Sequence, residues 1–426
     1  MRRLYSLVLS IMAPLVLLRL WLRGRRAPAY RRRWAERFGY VDKVAGHPVW
    51  IHAVSVGEAQ AAAPMIKTLL ERYPDIPLLV TTTTPTGSAR VKALFGEQVH
   101  HVYMPYDLPG AVKRFLLRVQ PRLVLIMETE IWPNLFHFCH RDGVPVVIAN
   151  ARMSERSAKG YGRFPGLTTR TLANVTVIAA QDQRDAARFA EIGAVAERIV
   201  VTGSIKFDIT LPASLREQGE VLRRETLGQN RPVWIAASTH AGEDELILDA
   251  FALVREREPS ALLVLVPRHP ERFEQVVVLS REHGYRVVQR SEGVACRPET
   301  EVFVGDTMGE MMLFYAASDV AFIGGSLVPV GGHNVLEAAA LALPIVYGPH
   351  MFNFEAIHKL FIEVGAARQV RNVDDLADVV ATWLGDADQR CRVGQQGLRL
   401  VQGNRGALAR LLAIIEQQLT TLPARR

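Results

Sequence analysis

Short apolar runs recur along the chain from Pro48 onward, each followed by a polar turn and a stretch with helical spacing. Continuous runs of Val, Ile and Leu that alternate with amphipathic segments are typical of parallel strands covered by helices on both faces. This pattern limits the chain to an α/β fold. The strands predicted in this way are Val49–Val54, Leu78–Thr82, Leu123–Met127, Val146–Ala149, Val175–Ala180, Ile199–Thr202, Val233–Ala237, Leu262–Val266, Val302–Val304, Val320–Ile323 and Ile345–Tyr347.

A polar stretch around 208–231 divides these strands into two sets. In a chain of 426 residues, two sets predict two doubly wound, Rossmann-like domains that face each other across a cleft. We expect the first domain over 34–207, a linker over 208–231, the second domain over 232–405 and a carboxyl-terminal helix over 406–426. Ligands bind outside the carboxyl ends of strands in such sheets, so the polar residues that follow each run are the candidates for function.

The amino-terminal segment 1–33 predicts a membrane-anchor helix and a basic juxtamembrane stretch. Its run Tyr5–Leu18 is uncharged, but a spanning helix takes about 20 apolar residues, which requires counting Leu20–Leu22 and letting Arg19 snorkel. A cleaved signal peptide fits less well, because no small-residue cleavage site precedes the basic run. A buried amphipathic helix is the other alternative, and whether the helix spans the bilayer or lies in the interface stays open.

Charge and cysteine usage indicate a cytoplasmic membrane protein. Segment 1–33 holds nine arginines and no acidic residue, and removing them from the net charge of +8 leaves −1 for the rest. We therefore expect no nucleic-acid partner. Seven of these arginines lie at or after the end of the apolar run, which places the domains in the cytoplasm by the positive-inside rule. Cys139, Cys296 and Cys391 show no paired or metal-ligand spacing, as in reduced thiols.

Three charged positions stand out in the first set. Glu58 lies near the first turn of a predicted helix over Ala59–Arg72, where a carboxylate either complements the helix dipole or acts as a base on an acceptor hydroxyl. Glu128 and Glu130 directly follow the third predicted strand and either cap the next helix or line a site; in an extended chain they would share a face. Lys206, after the last strand of the set, either neutralises developing negative charge or is a solvated linker residue.

In the second set, the residues that follow the strands are of types that bind anions. Arg268 follows Leu262–Val266, and its planar guanidinium suits a phosphate. Four glycines lead to a predicted helix start near Asn334, which would aim free N–H groups at an anion. Asn334 and Glu337 also have the spacing of a capping box. The motifs GxGxxG, GxxxxGKS/T and HExxH do not occur, which counts against a dinucleotide dehydrogenase, a P-loop NTPase or a zinc protease.

Several segments together resemble the Kdo transferases, which move 3-deoxy-D-manno-oct-2-ulosonic acid (Kdo) from its CMP donor onto the lipid A precursor. The combination of METEIWPN with SVGE is specific, whereas the glycine-rich motif is shared by many two-domain glycosyltransferases. The resemblance extends from the anchor to about Phe354. The matching segments are SVGE (Ser55–Glu58), TTTTPTGS (Thr81–Ser88), METEIWPN (Met127–Asn134), ANARMS (Ala149–Ser154), GSIKFD (Gly203–Asp208), PRHPERF (Pro267–Phe273), MGEM (Met308–Met311) and GGHNVLEAAALALP (Gly331–Pro344).

The resemblance implies a GT-B glycosyltransferase fold, with the acceptor in the first domain and the nucleotide in the second. It implies Glu58 as general base, with Glu128 and Lys206 supporting the transition state, and a final helix over Leu408–Leu419 that returns to the first domain. The nucleotide-binding residues that it implies are Arg268, His269, Met308, Gly309, Glu310, Asn334, Val335, Leu336 and Glu337.

The expected activity is inverting transfer of Kdo from CMP-Kdo to the lipid A precursor lipid IVA in lipopolysaccharide biosynthesis. The expected location is the cytoplasmic face of the bacterial inner membrane, with no metal and no cofactor beyond the donor substrate. Two alternatives stay open: a UDP-hexosyltransferase or sugar-nucleotide epimerase of the same fold, and a membrane-anchored binding or scaffold protein with a decayed site.

Overall fold

Two seven-stranded parallel sheets organise the chain in a computed structural model, which describes residues 1–421. Unit 1 comprises Met1–Asp208 together with the chain from Arg405 onward, and unit 2 comprises Ile209–Asn404. The last five residues of the predicted 406–426 segment lie outside the described residues. The predicted α/β class with two Rossmann-like sheets is confirmed.

The sheet of unit 1 has the strand order β3-β2-β1-β4-β5-β6-β7, and all of its strand pairs are parallel. Its first six positions follow the order of a dinucleotide-type Rossmann sheet. The order reverses between β1 and β4, so the residues after these two strands lie at the switch point where ligands bind. The strands are β1 Val49–His52, β2 Leu78–Thr82, β3 His100–Tyr103, β4 Leu123–Met127, β5 Val146–Ala151, β6 Val177–Ala180 and β7 Ile199–Val201.

Helices cover both faces of this sheet and create two separate hydrophobic cores. Trp50 and Phe115 anchor one core, with ring centroids 4.6 Å apart, and alanines of the third helix pack into the other. The helices are α1 Arg2–Arg26, α2 Trp34–Arg37, α3 Val56–Arg72, α4 Pro85–Phe95, α5 Pro109–Val119, α6 Pro133–Arg141, α7 Glu155–Gly162, α8 Pro165–Leu172 and α9 Gln183–Glu191.

The sheet of unit 2 repeats this plan with the order β10-β11-β9-β8-β12-β13-β14. The predicted linker 208–231 contains a helix that begins at Leu215 and a π-helical turn over Arg223–Leu227. The strands are β8 Val233–Thr239, β9 Leu262–Pro267, β10 Val287–Gln289, β11 Val302–Val304, β12 Val320–Ile323, β13 Ile345–Tyr347 and β14 Ala367–Gln369. The helices are α10 Leu215–Leu222, α11 Asp244–Arg257, α12 Phe273–Glu282, α13 Met311–Ala316, α14 Leu336–Ala340, α15 Glu355–Glu363, α16 Val373–Gly385 and α17 Ala387–Gly403.

The last helix, α18 (Ala407–Thr421), belongs to unit 1 although it follows unit 2 in the chain. Its buried Leu411, Leu412 and Ile415 join the core that also holds α3. The Asp208 carboxylate accepts hydrogen bonds from the backbone N–H groups of Gly406 and Leu408, both at 2.6 Å. The same residue that ends the first pass through unit 1 therefore fixes the start of α18.

Three strands that the sequence pattern missed, β3, β10 and β14, all lie at sheet edges. Most of their side chains are partly or largely exposed, whereas those of β1, β4 and β9 are all buried. An edge strand is covered less completely, so it does not need an unbroken apolar run. The predicted central strands are observed, with their ends shifted by a few residues.

The amino-terminal helix α1 is long and apolar enough to cross a membrane by length and composition. Only 6% of its most apolar 18-residue window is buried. The alternative of a buried amphipathic helix is therefore wrong.

Candidate active site

Glu58 lies in the first turn of α3, directly after β1, and its local contacts explain the placement. The Ser55 hydroxyl caps α3 by accepting the Glu58 backbone N–H at 3.4 Å. The Glu58 carboxylate accepts the backbone N–H of Val54 at 2.8 Å. This is close to a capping box, except that the carboxylate reaches one residue farther back than the usual partner. Capping therefore holds the carboxylate at the switch point of the sheet.

The environment of Glu58 makes it a much stronger base than an ordinary glutamate. Burial, aided by the nearby carboxylates of Glu128 and Glu130, raises the pKa of Glu58 from 4.5 to about 7, against the opposing Val54 N–H and Lys206 ammonium. Burial also raises the pKa of Glu130. A base is most useful when its pKa lies near the working pH. Titratable groups shifted by burial and charge at a strand end are candidates for catalysis.

Glu128 occupies the turn after β4 with φ 58°, in the left-handed region that non-glycine residues rarely adopt. The predicted extended alternation of Glu128 and Glu130 is therefore wrong, because the chain turns at Glu128. The Lys206 ammonium donates to the Glu128 carboxylate at 3.3 Å. Their side chains are 27% and 19% exposed, so a substrate can still reach both. Glu58, Glu128 and Lys206 thus act electrostatically on one another.

Asn150 positions Lys206 from the end of β5, a role that was not predicted from the sequence. Its side-chain oxygen accepts the backbone N–H of Ile205 at 3.1 Å, at the start of the short turn Ile205–Phe207 that carries Lys206. Asn150 is fully buried and has φ 51°. Asparagine tolerates this backbone region better than most residues, and its motif ANARMS was the available signal.

In unit 2, buried Glu243 organises the glycine-rich loop after β12. Its carboxylate accepts the backbone N–H groups of Gly325 at 2.6 Å, Ser326 at 3.0 Å and Leu327 at 2.9 Å. These three amides are therefore occupied and are not available to an anion. This interaction could not be predicted from local sequence, because the acceptor lies more than eighty positions earlier in the chain.

The start of α14 retains a polar arrangement around Asn334. The Asn334 side-chain oxygen accepts the backbone N–H of Leu336 at 3.1 Å, and its amide donates to the Glu337 carboxylate at 3.1 Å. The capping box predicted for Asn334 and Glu337 is wrong in its details, since the two side chains bond directly to each other. Asn334 and Glu337 are thereby held in a fixed orientation.

Arg268 lies among three histidines at the ends of β8, β9 and the glycine-rich loop. The Nε2 atoms of His240 and His333 are 2.8 Å apart, and the rings of His240 and His269 meet edge to face at 5.4 Å. Burial, together with the nearby charges of His240, Arg268 and His269, lowers the pKa of His333 to about 4. The exposed Arg268 guanidinium makes no hydrogen bond within residues 1–421, although its charge acts on the Glu337 carboxyl group. A free guanidinium beside imidazole N–H donors suits an anionic ligand.

The predicted residues Met308, Gly309 and Glu310 follow β11, which is the neighbour of β9. Glu310 binds Arg290 through both guanidinium contacts, at 2.8 and 3.1 Å, and it also accepts from Thr307. These hydrogen bonds, with that of Arg290 first, lower the pKa of Glu310. Glu310 therefore stabilises the loop after β11. The Met308 side chain of this loop is 63% exposed and is available to a ligand. Within residues 1–421, no cluster of three or more His, Cys, Asp or Glu side chains is arranged to hold a metal ion.

Several solved structures share this fold. The structure of Anabaena HepE in complex with UDP matches with a TM-score of 0.54 at 13% identity, over 88% of this chain and 100% of that chain. UDP-GlcNAc 2-epimerase from Neisseria meningitidis matches with a TM-score of 0.53 at 14% identity, with the same coverage. At these identities the likeness shows the fold alone, and that fold is of the GT-B kind.

Curated relatives and a family model show to which family this chain belongs. The model for 3-deoxy-D-manno-octulosonic-acid transferases (Kdo transferases) matches residues 32–209. The chain is 43% identical over 420 residues to the 3-deoxy-D-manno-octulosonic acid transferase of Haemophilus influenzae, over 97% of this chain and 98% of that protein. It is 38% identical over 432 residues to that of Bordetella pertussis, over 98% and 99%. The chain belongs to the Kdo transferases, the glycosyltransferases that carry Kdo into lipopolysaccharide.

Proposed function

We propose that this Kdo transferase is inverting and metal-independent, and that it moves Kdo from CMP-Kdo to the lipid A precursor lipid IVA. The observation that carries the proposal is the half-buried Glu58 carboxylate, whose pKa is raised to about 7 and which lies at the switch point of unit 1. In an inverting transfer a single base acts on the acceptor while the donor bond breaks on the opposite side. A base with this pKa matches that task at neutral pH.

In this mechanism Glu58 takes the proton from a sugar hydroxyl of the acceptor lipid. The resulting oxygen attacks the anomeric carbon of Kdo, the new glycosidic bond forms, and the bond from that carbon to the phosphate oxygen breaks. CMP leaves with the bonding electron pair. Glu128 supports the step by keeping Glu58 basic, and the Lys206 ammonium, 3.3 Å from Glu128, neutralises charge that develops near the acceptor.

Unit 2 is proposed to hold the donor nucleotide. The free guanidinium of Arg268 donates to the CMP phosphate, and His269 lies beside it on the same loop. Asn334, Val335, Leu336 and Glu337 bind the nucleoside at the start of α14, with Met308, Gly309 and Glu310 on the neighbouring loop. A monophosphate leaving group carries less charge than a diphosphate, so these protein groups supply the stabilisation that a metal would otherwise provide.

The acceptor is a lipid, so we propose that the protein works at the cytoplasmic face of the inner membrane. The nine arginines of residues 1–33 support this, because each basic residue near an anionic lipid surface contributes about 1 kcal/mol. Mass spectrometry of the lipid product formed from CMP-Kdo and lipid IVA tests acceptor and donor together. Transfer from a UDP-sugar, or none from CMP-Kdo, would contradict the proposal.

The role of Glu58 is tested by Glu58→Gln. We expect kcat to fall by at least about 10³-fold while CMP binding changes little, because the amide keeps the shape but cannot take a proton. Glu71→Gln is the matched control, since Glu71 is exposed near the other end of the same helix. Near-normal transfer by Glu58→Gln would remove Glu58 from the base role.

A further inference from the structure

The two long faces of α1 differ in what they contact. One stripe is exposed and apolar at Leu4, Leu7, Ile11, Leu15, Leu18 and Leu22, and these side chains are 47–68% exposed. A second stripe, displaced by two positions, is half-buried or buried at Ser6, Leu9, Ala13, Leu17, Leu20 and Gly24. Two positions correspond to about 200° around a helix. The apolar stripe therefore lies opposite the less exposed stripe.

The first turn of α1 is tied to unit 1 by polar contacts. The buried Asn134 side-chain oxygen accepts from the Arg2 guanidinium at 2.9 Å and from the Ser6 hydroxyl at 3.0 Å. The Tyr5 hydroxyl donates to the Asp107 carboxylate, which also accepts the backbone N–H groups of Asn134 and Leu135. The amino terminus of the helix is thus fixed at the start of α6.

The opposite end of α1 is also held against its own unit. After α1 the chain turns back through Pro28–Arg31, and the Arg31 guanidinium donates to the backbone carbonyl of Trp21 at 3.3 Å. The guanidinium groups of Arg25 and Arg31 lie 4.6 and 5.0 Å from the Trp21 ring centroid. Leu20 is only 8% exposed. Two residues after this turn, the Arg33 guanidinium donates to the Ser88 hydroxyl at 3.2 Å and to the His101 backbone carbonyl at 2.9 Å. Both ends of the helix are therefore tied to the folded part of unit 1.

A helix fixed in this way cannot have its two ends on opposite sides of a bilayer while unit 1 stays on one side. Leu4–Leu18, the stretch between Arg3 and Arg19, has no charged residue. It extends about 22 Å at 1.5 Å per residue, which is shorter than the roughly 30 Å of a hydrocarbon core. Arginines at both ends complement anionic head groups at one surface.

We propose that α1 lies flat in one leaflet, with its leucine stripe among the acyl chains and both ends at the cytoplasmic surface. The occupant of this face is an anionic lipid surface. The inference rests on the membrane association proposed above and deepens it. It also connects the membrane to the site, because Asn134 ends the segment METEIWPN that carries Glu128.

The side of the membrane on which the amino terminus of α1 lies decides between a flat helix and a membrane-spanning helix. A short extension with one cysteine is added ahead of Met1 of the full-length protein, so that Arg2 and Arg3 are kept. Intact spheroplasts and inside-out vesicles are then treated with a membrane-impermeant maleimide, with the exposed Cys391 as internal reference. We expect the added cysteine to be labelled only in the preparation that labels Cys391. Labelling from the opposite face overturns the flat orientation but leaves membrane anchorage intact, whereas recovery of the protein in the soluble fraction overturns both.

The apolar stripe is tested by binding of the purified full-length protein to preformed vesicles of phosphatidylethanolamine with phosphatidylglycerol. We expect Leu7→Gln and Ile11→Gln each to weaken partitioning by about tenfold or more, because each removes a large apolar side chain from the acyl region. Val278→Gln, at an exposed valine of unit 2, is the matched control. Partitioning of both α1 variants equal to that of the wild type would overturn the proposal.

Discussion

The raised pKa of Glu58 predicts that removing its charge stabilises the protein while it abolishes transfer. A carboxyl group whose pKa is 4.5 when unfolded and about 7 when folded binds protons more tightly in the native state. Its contribution to stability is fully present below pH 4.5 and is lost as the pH rises through about 7. The full loss corresponds to about 3 kcal/mol. Glu58→Gln avoids this loss, and its amide oxygen can still accept the Val54 N–H.

The size of the effect depends on pH in a way that is specific to this carboxyl. From pH 5 to pH 8 the stability advantage of Glu58→Gln over the wild type should grow by about 2.5 kcal/mol. Chemical denaturation at the two pH values, followed at the transition of unit 1, measures it, and Glu71→Gln serves as the control. An advantage that changes by less than about 1 kcal/mol between pH 5 and pH 8 would show that Glu58 is not held in a desolvating environment.

Three further predictions concern activity. First, kcat/KM should rise with pH through an apparent pKa of about 7, because only ionised Glu58 accepts a proton; a rate profile that is flat from pH 6 to 8 would contradict this. Second, Lys206→Met should lower kcat by about 10²-fold, and Asn150→Ala should lower it by a smaller factor, since Asn150 only positions the turn. Single-turnover rates test which loss is larger, and Lys206→Arg should recover part of the rate. Third, Arg268→Lys should raise the KM for CMP-Kdo by about tenfold, because a point charge replaces a two-pronged donor; an unchanged KM would exclude a phosphate contact.

The central part of each sheet could be predicted from sequence because burial on both faces leaves an unbroken apolar run. Leu123–Met127 and Leu262–Pro267 are of this kind, and all their side chains are buried. His100–Tyr103 and Ala367–Gln369 are edge strands with mixed polarity, so composition alone does not distinguish them from loops. Complete burial is the physical cause of an unbroken apolar run, and these two edge strands are not completely buried.

The candidate site was predictable to the extent that its residues follow strands directly. Glu58 and Glu128 stand at strand ends, and topology brings them together. The interaction of Glu243 with Gly325 was not predictable, since nothing local marks a carboxylate as the partner of a loop more than eighty residues away. The left-handed backbone conformation of Glu128 could not be predicted either, because glycine is the residue that usually indicates such a turn.

The return of α18 to unit 1 has a consequence for biosynthesis. Unit 2 is encoded between two parts of unit 1, so the ribosome completes unit 2 while one face of the first sheet still lacks Leu411 and Ile415. At bacterial elongation rates of roughly 5–20 residues per second, the nascent chain carries that uncovered apolar surface for about ten seconds or more. The exposed leucine stripe of α1 emerges first, so early adsorption to the bilayer would hold the unfinished unit away from other nascent chains.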